Sequence, residues 1–319
     1  MKTKCAVLTE TNKPLTVTYL EVPELRVGQV LVRIMYSGIC GAQINEISAL
    51  KGEDKFLPHL LGHEGYGTVI EVGEGVTKVK KDDNVVLTWI QCNGLDGGPK
   101  KYENCNAGPI TTFQEYSVVS ENRVVVVPSY DRLDRLAMFG CMIPTGYGTV
   151  LNMVEGSSIR IFGAGNIGSA AILASVKYGK KVYVVDVSKE RLDYALSLGA
   201  TTVNLPTDKL DKVDVAIDTT GNIGVIERAF DSIEDNGTLI IVGNSTKGSK
   251  IALSPFEFIK GKRIIGSWGG GCKPDSAIPY LMGVTDVSAI PINIYSLDNI
   301  NDAIAAFKTG YCGKVLVRC

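Results

Sequence analysis

The spacing of apolar and polar residues divides the chain into a strand-rich first part and an alternating second part. "VLVRIMYSGIC", "GTVIEVGEGV", "NVVLTWI", "EYSVVS" and "RVVVVP" are short Val/Ile-rich runs broken by Gly, Pro, Asn and Asp. Such runs predict the strands of a small barrel or sandwich. Between Gln91 and Pro109, "QCNGLDGGPKKYENCNAGP" has the composition of an exposed loop. The rhythm changes after Gly140. "GSSIRIFGAG" predicts a strand, "NIGSAAILASVKYGK" a helix, "KVYVVD" a strand and "SKERLDYALSLGA" a helix. "VDVAIDTTG", a helical "IGVIERAFDSI" and "GTLIIVG" follow. Buried strands alternating with helical segments indicate βαβ units and a doubly wound parallel sheet, so the fold class is α/β.

Composition narrows the function classes. With 319 residues the chain has room for two domains, and 45% hydrophobic residues supply sizeable cores. Lys+Arg 33 against Asp+Glu 34 leaves a net charge of -1. That balance gives no basic footprint for nucleic acid and no polybasic membrane patch. The N-terminal apolar stretch is too short for a signal-peptide core, and no run reaches transmembrane length, so a soluble cytoplasmic protein is expected. Eight scattered cysteines read as free thiols or metal ligands rather than a disulfide framework.

The most specific local signal is "IRIFGAGNIGSAA", which carries G-x-G-x-x-G at Gly163, Gly165 and Gly168. It follows a predicted strand and opens a predicted helix, as dinucleotide binding requires. Gly163 permits the turn, Gly165 lets the backbone approach a pyrophosphate, and Gly168 allows close helix–strand packing. Asn166 and Ile167 fall at the helix N-terminus that would face the negative charge. The second strand ends at Asp186, 18 residues after Gly168, where a carboxylate would accept adenosine ribose hydroxyls and repel a 2′-phosphate. NAD is therefore expected over NADP, with Arg191 close enough to modify the preference.

His63 in "LGHEGYGTV" is one of only two histidines. A lone histidine in an apolar strand is commonly a satisfied core residue, and spacing alone does not join it to Cys40 in "GICGAQ" or Cys141 in "FGCMIPTGYGTV". Taken together, however, Cys-Gly after a strand, "GHE", "VGEGV", "TGYGTV", "GAGNIG", "DTTG" and "IIGSWGG" occur in one order from about Val30 to Val317. In these motifs the chain resembles the zinc-dependent medium-chain alcohol dehydrogenase family, including its polyol, sorbitol and threonine dehydrogenase-like members. The resemblance implies a GroES-like β-barrel catalytic domain over 1–142 with 269–319, and a Rossmann NAD-binding domain over 143–268. It further implies one catalytic zinc per chain held by Cys40, His63 and Cys141. Glu64 would stand beside the metal or act as an exchangeable ligand, and His59 would be structural. The implied activity is hydride transfer between a secondary alcohol and NAD, in the cleft between the domains, by a homodimer or homotetramer assembled through sheet edges such as "GTLIIVGN".

Two departures from the family pattern stand out. Ser or Thr and then Asp usually follow Cys-Gly, whereas this chain has Ala42 and Gln43. Alanine cannot relay a proton, which leaves water, a substrate or ribose hydroxyl, Tyr66 or Tyr147 as candidates. Glutamine could still accept a hydrogen bond from the imidazole through its carbonyl oxygen. The second departure is the loop that holds four cysteines and a structural zinc in many members: here it has only Cys92 and Cys105. Even with Asp96 or Glu103 nearby, no second zinc is expected. Lys100, Lys101, Tyr102 and Asn104 in that loop suit a polar substrate such as a polyol, sugar-like compound or cyclitol. The competing readings are a zinc-free NADPH-dependent enone or quinone reductase and a non-catalytic NAD-binding protein.

Overall fold

The computed structural model describes residues 1–50, 52–128 and 130–319. Its contacts divide the chain into two units. One comprises Met1–Cys141, Lys273–Val284 and Ile292–Cys319, and the other Met142–Cys272 and Thr285–Pro291.

In the first unit, β1 (Lys2–Leu8), β2 (Thr16–Glu21), β4 (His59–Leu60), β7 (Lys100–Tyr102) and β8 (Cys105–Ala107) form a five-stranded sheet in the order β2-β1-β4-β8-β7. A seven-stranded sheet contains β3 (Gln29–Gly38), β5 (Glu64–Val72), β6 (Asn84–Thr88), β9 (Tyr116–Ser120), β10 (Val124–Val126), β17 (Ile292–Ser296) and β18 (Lys314–Arg318). β3 lies near its middle, antiparallel to β5, β9 and β18. Short helix α1 (Gly41–Ile47) follows β3 directly. Apolar residues of these strands and of the segments that join them, among them Ala6, Leu8, Ile39, Leu61, Phe113 and Val315, close a core with Ile300 and Ile304 of the helix Ile300–Lys308.

The expectation of an exposed loop over 91–109 is overturned in its second half. Lys100, Tyr102, Cys105 and Ala107 are buried while Lys101, Glu103 and Asn104 are exposed, a two-residue alternation that the surrounding glycines obscured. β7 and β8 form an antiparallel hairpin, and the Tyr102 hydroxyl accepts a hydrogen bond from the Val118 N–H at 2.6 Å.

The second unit holds six strands, all parallel: β11 (Ser158–Phe162), β12 (Lys181–Val185), β13 (Thr202–Asn204), β14 (Val213–Asp218), β15 (Ile233–Ile241) and β16 (Arg263–Gly266). Their order β13-β12-β11-β14-β15-β16 is the doubly wound arrangement, with its topological switch beside β11. Helices α2 (Met142–Met153), α3 (Asn166–Lys177), α4 (Lys189–Ser197) and α5 (Ile223–Asp231) belong to this unit. Ser188 and Asn222 cap α4 and α5 by accepting from Arg191 N and Val225 N. The strand "GTLIIVGN" is not an edge: β15 pairs with β14 on one side and β16 on the other, and β16 is the edge. Sequence could not show this, because β16 is only four residues long. No helix among the described residues is long and apolar enough to cross a membrane.

One buried carboxylate organises the connections of the first unit. Glu121, 1% exposed, accepts from Thr77 N and Lys78 N through Oε1, at 2.6 and 2.7 Å, and from Leu95 N through Oε2 at 2.6 Å. Burial works against its charge, but these backbone donors outweigh burial and hold the carboxyl below its usual range. Glu121→Gln is expected to cost about 1–3 kcal/mol in denaturant unfolding at pH 7. Because the folded-state pKa is depressed, that contribution is complete above the unfolded value of about 4.3 and disappears as pH falls through the folded value. The gap between wild type and variant should therefore shrink in acid.

Candidate active site

Four side chains from separate elements converge in the first unit. Cys40 stands at the N-cap of α1, immediately after β3. His63 immediately precedes β5, Glu64 begins it, and Cys141 follows the 3-10 turn Leu133–Gly140. One ligand atom from each lies within 4.8 Å of every other. Close approach depends on missing side chains. A Cβ on Gly38 would stand 2.6 Å from Glu64 Cδ, and one on Gly140 would stand 2.2 Å from the Leu87 carbonyl and 2.9 Å from Glu64 Cβ.

The donor set fits a zinc ion. His63 Nε2 is buried with no hydrogen-bond partner, and so is Glu64 Oε2. A buried imidazole nitrogen without a partner, beside two thiols, leaves a strong ligand unused unless a cation sits there. The thiols are electrostatically unequal. A hydrogen bond from Cys141 holds Cys40 well below the usual thiol range against the effect of burial, with His63 and Lys314 assisting. The same bond, together with burial, holds Cys141 well above that range. For His63 burial opposes protonation, yet the nearby Cys40 and Glu64 together outweigh it and raise the ring. One thiolate is thus favoured before any metal arrives, and a cation would release the second proton.

Sequence reasoning missed Lys314. Its ammonium, 1% exposed, donates to Glu64 Oε1 in a short ion pair and to the Ile39 carbonyl at 3.1 Å. Burial pushes the Glu64 carboxyl up while Lys314 opposes that shift; burial works against the Lys314 charge, and Glu64 more than compensates. "GKVLVRC" closes a stretch whose sequence pattern is mixed and predicts no particular element, and a lysine beside the apolar run "VLV" was the available clue.

The Gln43 expectation is reversed. Its Oε1 accepts from the Cys40 N–H at 2.8 Å, and so its Nε2 faces His63 Nδ1 at 2.6 Å. The amide donates to the ring instead of accepting from it, because the helix cap claims the oxygen. A neutral imidazole that ligates through Nε2 carries its proton on Nδ1, so ligation requires this amide to turn. Tyr66 is buried in β5, and Tyr147 in α2 packs edge-on against Tyr178 with ring centroids 6.0 Å apart. Cys92 faces the Val124 carbonyl at 3.6 Å. Burial pushes the Cys105 thiol up to about 11.

The first unit also contains a cavity of about 870 Å³ whose lining includes Gln43, Glu46, His59, His63, Lys100 and Lys101. Lys100 donates to the Gly108 carbonyl at 2.7 Å, and burial, helped by Arg26, pushes its ammonium down to about 7. Of the loop residues considered for substrate binding, Tyr102 is fully buried in the hairpin and Asn104 is exposed at its turn.

In the second unit the glycine-rich turn has the shape a dinucleotide needs. Gly163 has φ +93° and donates to Val185 O at 2.8 Å. A Cβ on Gly168 would lie 1.9 Å from the Gly163 carbonyl, whereas one on Gly165 would meet nothing within 4 Å. Asn166 and Ile167 begin α3. Asp186 accepts from Ala164 N at 2.7 Å and Ser188 N at 2.9 Å, with Arg191 Nη1 at 4.0 Å.

Comparison with known proteins decides the family. Residues 26–129 match the alcohol dehydrogenase GroES-like domain, and 166–282 match the zinc-binding dehydrogenase model. The chain belongs to the zinc-dependent medium-chain alcohol dehydrogenase family. It is 29% identical to an S-(hydroxymethyl)glutathione dehydrogenase of Komagataella pastoris, over 99% of this chain and 97% of that protein. That alignment spans 371 positions against 319 residues here, so the relative carries segments this chain lacks. Benzyl alcohol dehydrogenase from Acinetobacter calcoaceticus shares the fold, with a TM-score of 0.90 at 24% identity over 100% of this chain and 99% of that one. A 2R,3R-butanediol dehydrogenase from Bacillus subtilis is 26% identical with a TM-score of 0.77, covering 99% of both chains. This chain is thus an alcohol dehydrogenase-type oxidoreductase of GroES-like and Rossmann architecture.

The buried pair gives a stability test. Lys314→Met should cost about 3–5 kcal/mol in denaturant unfolding, because Glu64 is left buried without its partner. Adding Glu64→Gln to that variant should recover part of the loss.

Proposed function

We propose that this chain oxidises a secondary alcohol of polyol, sugar-like or cyclitol type with NAD, using one thiolate-bound zinc. The observation that carries the reading is the unpartnered His63 Nε2 aimed at two thiols and a carboxylate, all ligand atoms lying within 4.8 Å. Cys40, His63 and Cys141 would hold the metal, with Glu64 as exchangeable fourth ligand. When bound, zinc supplies the Lewis acidity that eases loss of the alcohol proton, and NAD supplies the hydride acceptor.

The chain's own residues provide the rest. Cys40 and Cys141 as thiolates balance the cation's charge. Lys314 holds Glu64 Oε1, so that only Oε2 remains to approach the metal. Once its amide turns to present Oε1, Gln43 would accept from His63 Nδ1 and orient the ring without adding charge. Gly163, Gly165 and Gly168, with Asn166 and Ile167 at the start of α3, would cradle the pyrophosphate. Asp186 would bind the adenosine ribose with its remaining lone pairs, and Arg191 would flank it. The cavity wall is largely apolar, with Phe56, Leu60, Leu61 and Ile110, and Gln43, Glu46, His59 and Lys101 are the groups in it that would meet a polar substrate's hydroxyls. The relative named for butanediol acts on a small diol by that name.

A homodimer is supported by edge strand β16 and the exposed Ile265 and Trp268 on and beside it. Ile265→Lys should lower the mass measured by light scattering to that of one chain.

Removal of zinc by chelation should abolish NAD-linked oxidation across a polyol panel, and zinc should restore it. Cys40→Ser or His63→Ala should reduce kcat/KM by at least about 100-fold. Unchanged turnover in either variant would refute the assignment. Asp186→Ser should shift the kcat/KM ratio of NAD to NADP by about tenfold towards NADP, or about 1.4 kcal/mol.

A further inference from the structure

A second cluster stands apart from the thiolate site. His59 of β4, Glu46 near the end of α1 and Asp54 in the intervening segment each offer a ligand atom, all within 4.8 Å of one another. The His59 ring is buried, its side chain 8% exposed, and Asp54 is nearly so at 11%. The family resemblance implies only a structural role for this histidine.

The hydrogen bonding around the ring defines what it lacks. Nδ1 lies 3.0 Å from the Leu60 carbonyl, which can only accept, so Nδ1 carries a proton. In the neutral ring Nε2 then presents a lone pair. Facing that lone pair are two further acceptors, Asp54 Oδ2 at 2.8 Å and Glu46 Oε1 at 3.9 Å. Asp54 is fixed in this pose by its other oxygen, which accepts from Phe56 N at 2.9 Å. With a proton on Nε2 the 2.8 Å contact is a hydrogen bond to Asp54; with a cation in its place, the same three atoms, Glu46 partly exposed among them, lie close enough for one ion to serve them all.

A proton on Nε2 would join His59 to Asp54. It would leave Glu46 beyond hydrogen-bond reach and the cluster with net charge -1, counting two carboxylates and one imidazolium. A divalent cation reaches all three atoms and brings the two carboxylates and neutral ring to zero. Ligand atoms around a tetrahedral zinc are about 3.3–3.5 Å apart, and the two separations here bracket that value. A histidine whose Nδ1–H rests on a backbone carbonyl while Nε2 points into a carboxylate pair is already oriented as metal-ligating histidines are.

We propose that Glu46, Asp54 and His59 form a second divalent-cation site of zinc type, with one nitrogen and two oxygen ligands. Glu46 and His59 line the cavity of about 870 Å³ that also exposes His63. The open coordination position accordingly takes water, or a hydroxyl or carboxylate oxygen of a molecule held in that cavity. Zinc content rises from one ion per chain to two. The site stands on its own geometry and does not require the alcohol-oxidising role.

The test is Co²⁺ titration of the metal-free full-length chain, followed by absorption spectroscopy and equilibrium dialysis. Two equivalents should bind. One gives the intense thiolate-to-cobalt charge-transfer band, and the other adds only weak ligand-field bands. His59→Gln should remove the second equivalent and leave the thiolate band intact. Glu46→Gln, at a half-exposed position that does not endanger folding, should weaken the second equivalent at least tenfold. Binding of a single equivalent by the native chain, or an unaltered second equivalent in Glu46→Gln, overturns the proposal. So does a ¹⁵N spectrum showing His59 protonated at both nitrogens in the presence of excess metal. A missing thiolate band with the weak bands retained would instead count against the assignment of Cys40, His63 and Cys141.

Discussion

The candidate active site depends on one ion pair sealed from water. Glu64 and Lys314 lie at opposite ends of the sequence, yet their side chains are 0% and 1% exposed. Neither charge could remain there alone, since burial of either disfavours its charged form. The lysine also binds the Ile39 carbonyl, next to Cys40, so one ammonium fixes the segment bearing the first thiol and the strand bearing the imidazole. Gly38 and Gly140 are glycines because the pair and its carboxylate stem occupy the space a Cβ would need.

Much of the fold was legible because its signals are local. The switch from short Val/Ile runs to strand–helix alternation after Gly140 marks the parallel sheet, and Gly163, Gly165 and Gly168 mark its first turn. The hairpin containing Lys100 and Tyr102 was not legible, because glycines on its approach hide the alternation of buried and exposed residues. Nor was the sheet edge: β16 is four residues long, and only pairing reveals that it lies outside β15.

The site was legible only in part, for a related reason. Cys40, His63 and Cys141 lie too far apart for spacing to join them, and the family resemblance supplied the connection. The Gln43 amide shows the limit of reading by residue type. Glutamine can donate or accept, and the choice is made by a backbone N–H of the helix cap that claims its oxygen. Lys314 was hidden more deeply, as the first residue of a short strand, 250 residues from its partner.

The path of the chain through the first unit has a consequence for biosynthesis. Both thiols, the imidazole and Glu64 are translated before the nucleotide-binding unit, whereas Lys314 is translated after it. A nascent chain leaving the ribosome thus carries a complete set of ligands around an uncompensated carboxylate. The pocket reaches its final electrostatic balance only when β18 pairs with β3, a step that must wait until the nucleotide-binding unit has been made.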